Sequence, residues 1–399
     1  RRVWLHEAMS AAHRPPETPE TEAPGIVRWD LAASAAARLT PPGPRLSPRA
    51  MRAAVASMRR HAEASVDHVH RITGLEAARD LRDSTVLVVD RAGWSKANAQ
   101  AFEVLMEPAV EALRRRRPEQ FGAAATALGG TATAMEMAAV LGFLSAKVLG
   151  QYDPYAGLVS AVAAQRHPGG RLMLVAPNIL TVERELNVEP EDFRLWVCLH
   201  EQTHRVQFAA APWLRDHMME QIGKLSAGLV AKADTFGERL QQAAKALMSG
   251  KDKNDDGAGA GGGKVAIGAT GTIMDLFQDP EEKAIFSHVT AVMSLLEGHA
   301  NVVMDEVDAS VVPTVKTIRQ RFNARAKTRG ALENWIHKIM GLDAKARQYT
   351  DGAKFVRAVV KQVGMEGFNQ VWIRAENLPT EEEIHNADLW ISRMDLSRP

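Results

Sequence analysis

Residues 190–212 read Pro-Glu-Asp-Phe-Arg-Leu-Trp-Val-Cys-Leu-His-Glu-Gln-Thr-His-Arg-Val-Gln-Phe-Ala-Ala-Ala-Pro, and few local structures suit such a segment. Proline is tolerated in the first turn of a helix, and Glu191 and Asp192 complement its positive end. The helix is expected to run to about Ala210 and to stop near Pro212. Leu195, Trp196, Val197, Val206 and Phe208 give it enough apolar surface to be largely buried. At 3.6 residues per turn, His200 and His204 then share one face, one turn apart. Two imidazoles so placed suit one Zn²⁺, and Glu201, rotated by about 100°, reaches a metal-bound water without taking a ligand position. Cys198, the only cysteine, turns away from that face and is expected to be a small buried hydrophobe.

A hydrolytic zinc site needs a third protein ligand and one open position. The sequence after His204, Arg205-Val206-Gln207-Phe208, lacks the short continuation that would place a third histidine nearby. The ligand must come from elsewhere. Glu297, in Ser294-Leu295-Leu296-Glu297-Gly298-His299-Ala300-Asn301, is the leading candidate, with His299, Asp305, His288 and His217 as alternatives. Asn301 and Asp305 follow Glu297 at successive turns, where they are placed to orient a ligand. In that chemistry Glu201 takes a proton from water and delivers it to the leaving nitrogen. The oxyanion needs a donor, for which His217, His288, His299, Tyr152 and Tyr349 are candidates.

The 49 basic and 48 acidic residues leave a formal charge of +1, which gives no reason to expect nucleic acid or an anionic membrane as a partner. With one cysteine no internal disulfide forms, so a reducing cytoplasm fits better than secretion. The Ala/Gly-rich stretch from Phe121 to Gly150 is interrupted by Glu136 and Lys147, and suits buried helices better than a membrane span. Four regions are expected among the 399 residues. A proline-rich extended segment covers 1–45, with a short helix near Trp29 to Ala37, and a helical region carrying the motif covers 46–248. A flexible Gly/Asp-rich linker covers 249–264, and a second helical region with the third ligand, packed on the first, covers 265–399. The linker's glycines do not form a nucleotide-binding loop, because Lys264 is followed by Val265. Val86–Val89 is expected to be a short strand or the end of a loop, and Arg171–Val175 a short strand closed by a turn at Pro177-Asn178. Asp90–Gly93 is expected to turn the chain before a helix that starts at Trp94 and kinks or breaks at Pro108.

Four segments together go further than the motif alone: Val89-Asp90-Arg91-Ala92-Gly93-Trp94, Val148-Leu149-Gly150-Gln151-Tyr152-Asp153, Leu199 to Phe208, and Leu296-Glu297-Gly298-His299-Ala300. They resemble the actinobacterial zincin-like family, whose members carry labels such as zinc-dependent metalloprotease or "coenzyme F420 biosynthesis-associated". The resemblance runs from about residue 25 to the end. It implies a mainly α zincin-like fold with the motif on a central helix and little strand. It also implies His200, His204 and Glu297 as zinc ligands and Glu201 as general base, acting on a peptide or small amide substrate. Two other functions fit the same residues: a non-catalytic zincin-fold binding or scaffold protein, and a zinc amidohydrolase acting on a small molecule. A homodimer is the expected form of any self-association.

Overall fold

The computed structural model describes residues 27–81, 83–116, 118, 123–231, 279–327 and 342–396. The linker at 249–264 and the first 26 residues of the N-terminal segment lie outside them. The described chain opens with helices α1 (Trp29–Leu39) and α2 (Pro48–Thr73). Ser47 caps α2 by accepting from the Ala50 N–H at 3.2 Å, with proline at the first helical position. Strand β1 (Thr85–Val89) leads into α3 (Arg91–Arg116) and α4 (Ala123–Ser145). Then come β2 (Gly150–Asp153), α5 (Ala161–Arg166), β3 (Arg171–Val175) and α6 (Ala176–Glu185). The motif helix α7 (Pro190–Ala210) is followed by α8 (Leu214–Ala231). The C-terminal half contributes α9 (Pro280–Glu306), α10 (Val315–Lys327), α11 (Leu342–Phe368, interrupted at Gly364), α12 (Glu381–His385) and α13 (Ala387–Arg393).

The fold is mainly α, as expected, and three local expectations need correction. Pro177 and Asn178 do not form a turn. They lie in the first turn of α6, where proline's missing N–H costs nothing. Gly150–Asp153 is a strand, beginning at the residue where the expected helical stretch ends. Helix α3 starts at Arg91, before Trp94, because the Asp90 carboxylate accepts from the Gly93 N–H at 2.7 Å and caps it; the helix then continues through Pro108.

The sheet has the order β1-β3-β2, with β1 parallel and β2 antiparallel to the central β3. Every residue of β3 is buried, so successive side chains serve opposite faces. Leu172 and Leu174 join the larger core with α2 and α7, through Met58, Ala62, Phe193 and Val197. Met173 and Val175 face a smaller core made with α1, α3 and α4, through Ala36, Trp94, Ala97 and Leu141. Arg171, at the start of β3, pairs with buried Asp153 at 3.0 Å and donates to the Ala97 carbonyl at 2.8 Å. This ties the sheet to α3. No helix among the described residues is long and apolar enough to cross a membrane.

Residues from both sides of the 249–264 segment share the larger core, including Leu295, Val302, Phe355 and Trp390. Helix α9 lies against α7 on one side and α11 on the other. Its approach to α11 is so close that a Cβ on Gly298 would overlap the Gly352 carbonyl group and sit 2.6 Å from the Ala353 nitrogen. Gly352, in turn, faces the Ser294 carbonyl with no room for a side chain. Gly298→Ala is therefore expected to cost at least about 1–3 kcal/mol through overpacking, read as a lower urea midpoint. An unchanged midpoint would show that the two helices separate freely.

Candidate metal centre

Helix α7 holds His200, Glu201 and His204 because it is clamped along its length. Cys198 Sγ contacts the Met58 carbonyl at 3.7 Å and Gln202 donates to the Ala62 carbonyl at 2.5 Å, both on α2. Burial raises the Cys198 pKa, so it stays a neutral thiol and acts as the expected core residue. Near the start of the helix, Arg194 grips Glu183 of α6 through two bonds of 2.8 and 3.0 Å. After the motif, Arg205 reaches Asp83 at 2.9 Å and the Leu81 carbonyl at 3.2 Å. A helix fixed at so many points cannot rotate, so the face it presents to α9 is set.

On that face His200 Nε2 and His204 Nε2 lie 3.3 Å apart. Glu297, from α9, places its carboxylate oxygens 3.7 Å from His200 Nε2 and 3.8 Å from His204 Nε2. The three ligand atoms lie within 4.8 Å of one another, and all three residues are partly open to solvent. A tetrahedral zinc ion with bonds of about 2.0–2.1 Å to nitrogen holds its ligands roughly 3.3 Å apart. The donor set and its spacing therefore fit that ion. Burial, and secondarily the neighbouring His204, lower the His200 pKa to about 4, leaving a neutral ring with a lone pair to offer.

Glu201 sits beside this face, buried, against strand β2. A Cβ on Gly150 would lie 2.5 Å from its Cγ, so only glycine lets the strand pass. Burial, and then the charge of Glu297, push the Glu201 pKa up to about 8. A carboxyl group of that kind takes and gives up a proton near neutral pH.

Sequence reasoning missed Gln207, one turn beyond His204. Its Nε2 donates to the Leu296 carbonyl at 2.8 Å and lies 3.0 Å from His299 Nδ1. A carbonyl only accepts, so the amide nitrogen must face Leu296 and the amide oxygen must face His204 Nδ1, at 3.0 Å. His204 Nδ1 therefore carries the proton, and its Nε2 lone pair points to the cluster. The signal was present as His-x-x-Gln, a spacing that shares a helix face.

The other expected site residues are spread around this centre. His299 is fully buried behind Gln207, against Phe368 and Trp372, and burial lowers its pKa to about 3. Asn301 lies one turn beyond Glu297, half-buried. Asp305 points to the surface and pairs with Arg357. Tyr152 gives its hydroxyl to the Gly169 carbonyl and packs its ring on Phe208. His217 pairs with His288 instead of approaching Glu297. The Tyr349 side chain lies outside the described residues.

Gln207→Leu keeps the volume but removes the acceptor for His204, and is expected to weaken zinc binding by about 10–100-fold in a chelator competition. Equal affinity would remove Gln207 from the site. A second expectation concerns protein stripped of metal. Folded Glu201 keeps its proton up to about pH 8, whereas the unfolded chain releases it above 4.5. This raised pKa stabilises the fold at low pH, and the stabilisation is lost as pH rises through 8. His200 acts in the opposite sense, but only below 6.5. Between pH 6.5 and 8, the melting temperature of wild type should fall relative to Glu201→Gln; a constant difference would contradict the buried carboxyl.

Comparison with known proteins agrees with this geometry. The model of a family described as zincin-like metallopeptidase matches residues 27–391. A crystal structure from Chloroflexus aurantiacus, described as a candidate hydrolase with a novel fold, is 30% identical with a TM-score of 0.60. The match covers 92% of this chain and 99% of that one. No curated protein matches. With nearly its whole described length under the family model, and a histidine pair and a carboxylate spaced for one ion, this chain belongs to the zincin-like metallopeptidases.

Proposed function

We propose that this chain is a zinc-dependent hydrolase that cleaves amide bonds, with an extended peptide as its substrate class. The observation that carries this is the convergence of His200, His204 and Glu297 within 4.8 Å, beside a buried carboxyl group on the same helix. In this reading His200, His204 and Glu297 hold the ion. Zinc at such a site supplies Lewis-acid chemistry, acidifying water and polarising a carbonyl.

The protein's own residues do the rest. Glu201 takes the proton of the attacking water on a carboxylate oxygen and returns it to the leaving nitrogen. Its buried setting, with a pKa near 8 before any cation is added, keeps the protonated form accessible for the second step. A dication held by His200, His204 and Glu297 would draw that pKa down, favouring the carboxylate needed for the first. Gln207 keeps His204 in the binding tautomer. Strand β2 supports an extended substrate, since it is an edge of the three-stranded sheet and its Gly150 touches Glu201. A peptide adding to a sheet edge is a common mode of recognition. The single buried thiol fits action in the reducing cytoplasm. The coenzyme F420 label of the resembling family plays no part in this reading.

Elemental mass spectrometry of wild type, His204→Ala and Glu297→Ala, followed by a peptide-library screen, tests the assignment. Wild type should carry about one central zinc that both variants lose while remaining folded. Glu201→Gln should keep its zinc and lose about 10²–10⁴-fold in kcat. Zinc without hydrolysis of any peptide or small amide would favour the scaffold role. Cleavage that survives Glu201→Gln would exclude Glu201 as the base.

A further inference from the structure

Helices α8 and α9 meet at a second pair of histidines that the proposed hydrolysis does not use. His217 Nε2 and His288 Nε2 lie 2.7 Å apart, with ring centroids 5.0 Å apart at 86°. The pair at the central cluster has nearly the same arrangement, with centroids 4.9 Å apart at 89°. Neither His217 nor His288 makes another side-chain hydrogen bond among the described residues. Both are half-buried, and burial lowers both pKa values, so the rings are neutral at physiological pH.

The charges that act on His217 come from Glu220, Glu376 and Lys224. Glu220 is engaged by Lys224 at 2.7 Å. Glu376 is exposed, close enough to raise the proton affinity of His217, and has no ion pair among the described residues. Trp213 braces the His217 ring edge-on at 6.0 Å and is itself held by the Trp372 carbonyl at 3.0 Å.

We infer that His217 and His288 form a second metal site, taking a late first-row divalent ion such as Zn²⁺ or Cu²⁺ and linking α8 to α9. Imidazole pairs select this class of ion over Mg²⁺ and Ca²⁺, which require oxygen ligands. A neutral pair in contact shares one Nε2–H. On binding, that ring's proton moves to its own free Nδ1, so both Nε2 lone pairs face the ion and no net proton is lost. The nitrogens must separate from 2.7 Å to roughly 3.3 Å, the edge of a tetrahedral zinc site. Rotation of two half-buried rings supplies that change. Water fills the remaining positions, and Glu376, which has no ion pair among the described residues, is a carboxylate able to replace it. With two protein nitrogens instead of a full three-ligand set, the site binds more weakly than the central cluster.

The test uses tag-free full-length chain, stripped by chelator, with the central cluster silenced as His200→Ala/His204→Ala. Titration with Cu²⁺ should give one bound equivalent whose electron paramagnetic resonance spectrum shows coupling to two imidazole nitrogens. Adding either His217→Ala or His288→Ala should remove it, while adding His385→Ala, at an exposed histidine that faces Asp351, should leave it unchanged. Circular dichroism melts establish that each variant is folded, and His217→Gln or His288→Gln replaces any alanine variant that is not. No bound Cu²⁺ in the silenced protein, or a signal that outlives both His217 and His288, would overturn the site and leave the pair as a neutral hydrogen bond between helices. Failure of the central cluster shows separately, as wild type and the silenced variant taking up equal amounts of zinc.

Discussion

The closeness of α9 to its neighbours governs the rest of the site. Glu297 reaches His200 and His204 only because the residue after it has no side chain, which lets α9 settle against the α11 backbone at Gly352. Three consecutive residues then serve three directions. Glu297 turns to the histidines, Gly298 to α11, and His299 to Gln207 and the aromatic rings of Phe368 and Trp372. Helical rotation of about 100° per residue makes such a division natural. Any displacement of α9 therefore disturbs the His200–His204–Glu297 cluster and the Gln207 brace together.

A second constraint is electrostatic. Glu201 is buried beside another carboxylate and no cation among the described residues pairs with it. Left alone, such a group destabilises the charged form and holds a proton instead. That is a poor arrangement for stability and a useful one for proton transfer, a common mark of functional sites. Stability comes from other places: the Arg194–Glu183 and Arg171–Asp153 pairs, both largely buried, and the apolar face shared by α2 and α7.

Much of this was legible in the sequence where the signal was local. The motif helix announced both its ends through Pro190 and Pro212, and the four-residue spacing placed His200 and His204 on one face before any fold was known. Glu297 was legible as a preference, since a carboxylate after a hydrophobic run is an unusual feature. Strand β2 was not, because Gly-Gln-Tyr-Asp has little apolar alternation and is held by pairing to β3, 18 to 24 residues later. Pro177 misled for a related reason: proline opens turns and helices alike, and the sequence on either side did not separate the two. Gln207 was overlooked because a neutral amide carries no motif. Its role exists only once α9 brings the Leu296 carbonyl and His299 against it.

The remaining histidines show why composition alone could not choose among ligands. His217, His288 and His299 were all chemically eligible, and what separates them is packing. His299 is fully buried behind Gln207, so it can steady the brace but is out of reach of solvent. His217 and His288 face each other across α8 and α9, and so are committed to a junction between helices. That junction joins the helix that follows α7 to the helix that supplies Glu297. Whatever tightens it also fixes where α9 sits relative to the segment that follows the motif helix, and so bears on how Glu297 meets His200 and His204.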